Sequence, residues 1–395
     1  MNVKTTKKPN PRIDIGYVSR FKMQAYGNNN LYPQNISAIA KASGTAELCI
    51  DRYAKFIEGY GFNSEQLSET IVNRHDGTAD DLLHDVAADL ARYGGFALHV
   101  NYNVLCQITE VNFVPFENCR LGEENERGRV EEILVHPDWT QKKTRNGQYL
   151  RVDEQTVKRI KIFNPDPAIV EREIEEAGGI EFYKGQVVWC SMDGTQTYPT
   201  PIYDSVITEI STDEGLGNVK YRNVRNNFLV ACMLIYKKGV PKYDPETDSE
   251  LDDGAMISDE DLKQFQGDEN TSKILAVELE NDEDKPEVVA FPTKNYDKEF
   301  TVTDTSVVER IYAQFHQELF YAIRIGKLGF SGQVMRDAYE YYAGEVTNEQ
   351  RFIQRIMEKV FEHWHDPSLA SLDFTLQPLK YISSESTENN TIENE

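Results

Sequence analysis

Several marks of large protein classes are missing from this chain. No apolar run approaches the eighteen or more residues of a membrane-spanning helix. The longest, Phe228–Tyr236, is nine residues and reads as a buried strand or helix segment. Cysteine is sparse: Cys49, Cys106, Cys119, Cys190 and Cys232 are far apart, odd in number and form no C-x-x-C. That pattern predicts buried thiols in a reducing compartment and excludes a disulfide framework. Met1 to Arg12 carries bases and prolines with no apolar core behind it, so no secretory signal is expected. Positive charge is also short. Acids outnumber bases 66 to 42, for a net charge of −24. Such a chain does not adhere to nucleic acid or to an anionic membrane through bulk charge.

Catalytic fingerprints are missing too. There is no G-x-x-x-x-G-K-[ST]; Gly326-Lys327 is followed by leucine and comes after a predicted helix, unlike a phosphate-cradling turn after a strand. The Gly326, Gly329, Gly332 spacing does not fit the dinucleotide fingerprint, and Ser331 in G-F-S-G falls one residue short of a nucleophile elbow. His363 and His365 flank Trp364 at a predicted helix end. Two residues apart, they diverge around the axis and suit the helix dipole better than a metal. No cofactor is expected.

What is present suffices for a folded body. The 395 residues are 39% apolar and 11% aromatic, enough for a sizeable core and two or three lobes. The first thirty residues, with Lys4, Lys7, Lys8, Arg12, Pro9 and Pro11, read as an arm leading to the turn-rich Asn28–Pro33. A helix is predicted from Ile36 to Ile57, closed by Gly59 and Gly61. A second starts at Thr78 with Asp81 at capping-box spacing, and Gly94-Gly95 stops it. Phe96–Tyr102, Leu105–Pro115, Val130–Pro137, Arg159–Pro165 and Ile180–Cys190 are short and β-branched or aromatic. They predict a mostly antiparallel sheet. The fold class expected is therefore α+β.

A long helix is predicted after Pro201, capped by Asp204 or Ser205 and running to Phe228, with Gly215 and Gly217 as places for a kink. Around it the charge separates. Gly215–Tyr243 holds six bases, Lys220, Arg222 and Arg225 among them, and no acid. Taken singly, these bases read as solvated or paired with Asp213 and Glu214. Asp244–Asp284 holds sixteen acids against Lys263 and Lys273, a net of −14 in 41 residues. Such a block reads as an excursion from the body, roughly Leu229 to Lys298, with its own minor fold. Within it Leu262–Phe265 suits a short helix and Lys273–Leu279 a strand. A second long helix is predicted from Ser306, with Glu309 at capping-box spacing. The glycine-punctuated Gly326–Gly332, a helix over Val334–Ala343, and a helix over Asn348–Trp364 capped by Thr347 and Gln350 follow. That last helix carries Phe352, Ile356, Val360 and Trp364 on one predicted face, and a strand-like Leu372–Leu376 comes after it. The acidic tail from Ser383 predicts disorder.

The order of parts is more telling than any one motif. Tyr26-Gly27-Asn28-Asn29-Asn30-Leu31-Tyr32-Pro33 precedes a helix closing on Glu58-Gly59-Tyr60-Gly61. Val114-Pro115-Phe116 follows, and Tyr198-Pro199-Thr200-Pro201-Ile202-Tyr203 introduces the helix ending at Asn226-Asn227-Phe228. Gln266–Lys273 precedes a strand, and a helix, glycine-rich loop and helix span Thr305–Val346. From Tyr26 to Trp364 this series resembles the portal protein family of tailed bacteriophages, in its short siphophage and prophage form. The sequence departs from that pattern in its very acidic excursion. It also has Ile325-Gly326-Lys327 where many relatives carry an apolar-Pro-Pro segment.

The resemblance implies a non-enzymatic homo-oligomeric ring, dodecameric in the virion, at one capsid vertex. Double-stranded DNA passes through it during packaging and ejection. The large terminase subunit, a head–tail adaptor and the major capsid protein are its partners, with no membrane. The host cytoplasm is the site of assembly. Residues 1–33 would be an arm and 34–203 an α/β wing. Residues 204–228 and 299–325 would be paired stem helices, with 229–298 the inserted clip. Residues 326–333 would be the tunnel loop, 334–382 wing and crown helices, and 383–395 an acidic tail. The resemblance makes Arg324, Lys327, Leu328, Phe330 and Ser331 candidates to face the tunnel. Lys220, Arg222 and Arg225 become the basic group of a stem. Asp252, Asp253, Asp259, Glu260 and Asp261 become the partner-docking group of the clip. Two other readings stay open: a metal-dependent nuclease or hydrolase using Glu283-Asp284-Lys285, and another capsid-associated adaptor ring.

Overall fold

The computed structural model describes residues 15–140, 151–194, 196–226, 232–237, 242–243, 250–252, 274–279 and 296–382, with main chain only between 222 and 302. The chain divides into two units, Met1–Ser211 with Val308–Glu395, and Thr212–Val307. Its class is α+β, as the sequence predicts.

The first unit opens with a small antiparallel hairpin, β1 (Tyr17–Val18) and β2 (Met23–Gln24). Residues read from the sequence as part of an arm thus contribute to the core. Phe21 and Met23 are buried with Leu134, Trp139, Val152 and Val157. Tyr26 is fully buried, stacked between Tyr32 and Tyr198 at ring-centroid distances of 5.2 and 4.0 Å.

Helices α1 (Tyr32–Ala42) and α2 (Gly44–Glu58) stand where one helix was predicted. Ser43 divides them: its backbone is extended and its Oγ accepts the Ala46 N–H at 3.1 Å. The hydroxyl starts a new helix instead of letting the old one continue. After the single turn α3 (Glu65–Ser68), α4 (Ala79–Tyr93) begins with the predicted capping box between Thr78 and Asp81 and ends at Gly94, φ +76°. Leu82, Val86, Leu90 and Tyr93, at helical spacing, are buried along it.

The central sheet is built from β3 (Gly95–Tyr102), β4 (Ile108–Val114), β5 (Cys119–Leu121), β6 (Glu132–Val135), β7 (Lys158–Ile162) and β8 (Gln186–Ser191). Their spatial order is β4-β3-β8-β7-β6-β5. Hydrogen-bonded neighbours are antiparallel except β7 and β8, which are parallel. A parallel pair needs a crossover, and α5 (Pro167–Ala177) supplies it. The sequence reading did not assign this helix, although Asp166 caps it, Pro167 opens it and Gly178 closes it at φ +88°. The strand predicted from Ile180 begins only at Gln186, because Gly178, Gly179 and Gly185 all have positive φ and keep the chain turning.

Helix α6 (Ile207–Asn226) follows one tighter turn over Ile202–Val206. The Asp204 carboxylate, in that turn, accepts the Tyr32 hydroxyl through Oδ1 at 2.6 Å. The helix runs unbroken through Gly215 and Gly217. In the second unit, β9 (Cys232–Lys237) pairs in parallel with β12 (Ile274–Leu279), and β10 (Lys242–Tyr243) pairs with β11 (Glu250–Asp252). The short helix expected at Leu262–Phe265 and the acidic tail from Ser383 lie outside the described residues.

The returning helix, α7 (Tyr296–Gln314), starts ten residues before Ser306, which sits in its interior. A Ser-x-x-Glu spacing is compatible with a helix interior as well as a helix start, and Tyr296–Ser306 contains neither glycine nor proline to stop a turn. Nor does the helix continue to Ile325. It stops at Gln314, His316 takes φ +55°, and α8 (Glu318–Arg324) resumes after Gln317. Helices α9 (Gly332–Glu345) and α10 (Thr347–Phe361) complete the unit. Thr347 does not cap α10; its Oγ1 donates back to the Ala343 and Gly344 carbonyls. Gln350 donates to the Phe56 and Ile57 carbonyls at the end of α2. Leu376 makes a single bridge to Phe62 where a strand-like piece was predicted.

Candidate functional site

Three groups of residues were singled out from the sequence, and the structure places them on different elements. The first surrounds the outgoing and returning helices. In the first unit, Arg310 Nη1 lies 3.1 Å from Glu209 Oε1, and Gln314 Nε2 donates to the Ile202 carbonyl at 2.7 Å. In the second unit, Lys220 Nζ lies 2.7 Å from Asp304 Oδ2. Lys220 thus pairs with an acid on the other helix. Both ion pairs are solvent-exposed on at least one side, so each contributes about 0–1 kcal/mol and fixes register more than stability. Arg222 and Arg225 lie on the last turns of α6; their side chains lie outside the description.

The corner between α7 and α8 holds a buried polar node. Gln317 is fully buried. Its Nε2 donates to the Cys49 carbonyl at 2.9 Å and to the Tyr342 hydroxyl at 2.8 Å, and its Oε1 accepts from Arg52 Nη1 at 3.0 Å. The Arg52 guanidinium also lies 4.5 Å from the Phe320 ring centroid. One amide therefore ties α2, the corner and α9 together. Nothing in the sequence signals this glutamine.

The second group follows that corner. Arg324, Lys327, Leu328, Phe330 and Ser331 are all exposed and stand within one short stretch. Arg324 Nη1 donates to the Tyr312 hydroxyl at 2.8 Å. Gly326 turns the chain at φ +74°, and the Lys327 and Leu328 amides donate to the Ala322 carbonyl. Ser331 Oγ accepts the Val334 N–H at 3.3 Å and so caps α9. Phe330 is 77% exposed and Ile325 43%. The stretch thus combines two cations with uncovered apolar side chains.

Of the third group, Asp252 ends β11, while Asp253, Asp259, Glu260 and Asp261 lie outside the described residues, as do Glu283, Asp284 and Lys285. Among the described residues, no set of three His, Cys, Asp or Glu side chains is placed to hold a metal ion. The main chains of His363 and His365 pair with Ile108. Cys49, Cys119 and Cys190 are buried and in no disulfide. Among the described residues no helix is long and apolar enough to cross a membrane.

No protein-family model and no curated protein matches the chain. Among solved structures, it is similar to a chain in the neck of a native gene transfer agent particle computed with C12 symmetry. The match is at 10% identity and a TM-score of 0.46, and covers 91% of this chain and 87% of that one. A chain in the virion of the native particle gives the same values. One in the neck of the empty particle, computed with C6 symmetry, has a TM-score of 0.45. At these values the likenesses assign no function.

Proposed function

We propose that the chain is one subunit of a portal-type ring, dodecameric at the vertex of a phage or phage-like particle. DNA enters and leaves through its centre. The observation that carries this reading is the path of the chain. It leaves an α+β body on one long helix, α6, and returns on another, α7, and the second unit, Thr212–Val307, takes in the distal parts of both helices with the chain that joins them. In this reading the two helices are stems that stand beside those of neighbouring copies. The intervening unit, with Asp252, Asp253, Asp259, Glu260 and Asp261, is the clip that meets the terminase motor and later the head–tail adaptor. The body faces the capsid protein.

The electrostatics suit that work. A passage for DNA must not hold it, and attractive phosphate contacts bring friction and salt dependence. A subunit of net charge −24 gives a predominantly repulsive wall. In this reading Arg324 and Lys327 damp or grip the duplex locally, and Lys220, Arg222 and Arg225 do so along the stem.

Sedimentation of the purified full-length protein tests the reading. A ring sediments at many times the 45.3 kDa of one chain, and no divalent-dependent DNA cleavage accompanies it. A persistent monomer that cuts DNA with Mg²⁺ or Mn²⁺, and stops when Glu283 or Asp284 is neutralised, would establish the hydrolase instead.

A further inference from the structure

Helix α10 has two distinct edges. Ile353, Met357, Val360 and Phe361 form its buried edge. Beside them, Arg351, Arg355 and Lys359 recur at four-residue steps and therefore lie one above another. They border a cleft of about 1100 Å³ between α10 and the β7–β8 part of the sheet. Phe163, Val188 and Cys190 line it from the sheet, and Phe352 and Ile356 from the helix. Phe352 meets Phe96 edge-on at 5.9 Å, and the Lys359 ammonium lies 5.6 Å from the Phe163 ring centroid.

The charge of this cleft runs against that of the chain. Its lining holds three cations and no carboxylate, in a protein with 66 acids and 42 bases. Among the described residues none of the three forms an ion pair. Arg355 Nε donates only to the Arg351 carbonyl, at 3.3 Å. Gln196, Gln354 and Asn348 also line the cleft; Gln196 is held at both amide groups by the Val130 main chain and Gln354 Nε2 donates to Glu358 Oε1, which leaves the Asn348 amide and Gln354 Oε1 to meet a peptide main chain.

The geometry points to this cleft as the docking site of an acidic peptide segment from a partner protein. Its carboxylates meet Arg351, Arg355 and Lys359, and an apolar side chain between them covers Phe163, Phe352 and Ile356. Apolar anchoring with a charged rim is the usual anatomy of such a contact. A peptide fits better than a nucleic-acid strand. The chain's overall field opposes a polymer with a charge on every nucleotide, whereas a peptide's few carboxylates are confined to the cleft. The assignment rests on the first unit alone and stands whether or not the ring forms.

The test uses the full-length protein and a fluorescein-labelled synthetic peptide, rich in Glu with isolated Ile and Phe, followed by fluorescence anisotropy. Saturable binding is expected, weakened by salt and lost when Gln replaces Glu in the peptide. R351E/R355E lowers the affinity at least about tenfold, Ile356→Glu lowers it independently, and Lys184→Glu, outside the cleft, leaves it unchanged. Circular dichroism confirms that each variant is folded. Failure of the wild type to bind, or equal binding by R351E/R355E, overturns the proposal. Tighter binding of a single-stranded oligonucleotide overturns it in favour of nucleic acid. Altered sedimentation of R351E/R355E without peptide overturns it in favour of a second copy of the chain.

Discussion

Arg120 holds Asn30 at two points: its Nε donates to the Asn30 side-chain carbonyl at 2.8 Å, and its Nη2 to the Asn30 main-chain carbonyl at 2.6 Å. The same guanidinium donates to Gln34 Oε1 and to the Glu117 and Cys119 carbonyls. All five acceptors are neutral, and Arg120 is fully buried. Burial accordingly lowers its pKa, while hydrogen bonds replace the lost hydration. This node fastens the turn at Asn30, φ +60°, to the end of the sheet. Arg120→Met removes the donor from the Asn30 main-chain carbonyl and from Gln34 Oε1, while the Tyr26 N–H still reaches Asn30 Oδ1 and Gln34 Nε2 still reaches the Glu117 carbonyl; it should destabilise the first unit by roughly 2–4 kcal/mol. Arg120→Lys should recover only part, because a lysine has three donors and no fork. Trp139, whose ring lies 5.1 Å from the guanidinium, reports the loss by fluorescence during thermal unfolding.

Gln317 makes a parallel case at the corner of the returning segment. Gln317→Leu keeps much of the volume but leaves the Tyr342 hydroxyl and one Arg52 donor without the partner Gln317 supplies. The expected cost is about 2–4 kcal/mol. Hydrogen exchange should show α8 and α9 opening before the sheet does. Unchanged protection there would contradict the role given to this amide.

Asp89, on α4, has a carboxyl that accepts the Phe116 N–H at 2.8 Å. Burial pushes it up to about 8, against the lowering effect of that N–H, with Glu117 and Asp85 adding to the rise. The native state therefore holds this proton to higher pH than the unfolded chain, whose aspartates titrate near 3.9. Between about pH 4 and 8 the folded protein binds more protons, so this residue's contribution lowers stability as pH rises through that window. Asp89→Asn keeps an acceptor for Phe116 and removes the charge. It should gain roughly 2–5 kcal/mol at pH 8, nothing at pH 4, and flatten the curve between them. Melting temperatures across that range check the sign.

Arg324 and Lys327 are proposed to face the passage. Neutralising both, as Arg324→Gln with Lys327→Gln, should leave the fold intact, since both are exposed. It should alter DNA retention or the yield of filled particles. Filled particles that form and hold DNA as before would remove these residues from the account.

The elements most legible in the sequence were those whose signals are local. Thr78 with Asp81 and Gly94 are read correctly, and the strands expected over 96–102 and 105–115 stand at Gly95–Tyr102 and Ile108–Val114, because capping and strand propensity depend on near neighbours. Local cues also misled. The Ser306–Glu309 spacing falls inside α7, and Ser43 breaks a stretch that periodicity alone makes continuous. Asp166-Pro167 and Gly178-Gly179 are start and stop signals for α5. Long-range partners left no trace: nothing near Gln350 says that it closes α2, and nothing near Arg120 says that it binds Asn30. The cleft was half visible. Phe352 and Ile356 were grouped with Val360 and Trp364 as one face. In the fold the buried edge is rotated onto Ile353 and Met357, and the first two are left half-exposed beside the three cations.

Electron-microscopy images of the purified full-length protein, averaged in projection, test the central claim most directly. The account predicts closed rings with an axial hole wide enough for duplex DNA. Compact single particles without a hole, at every concentration tried, would contradict it.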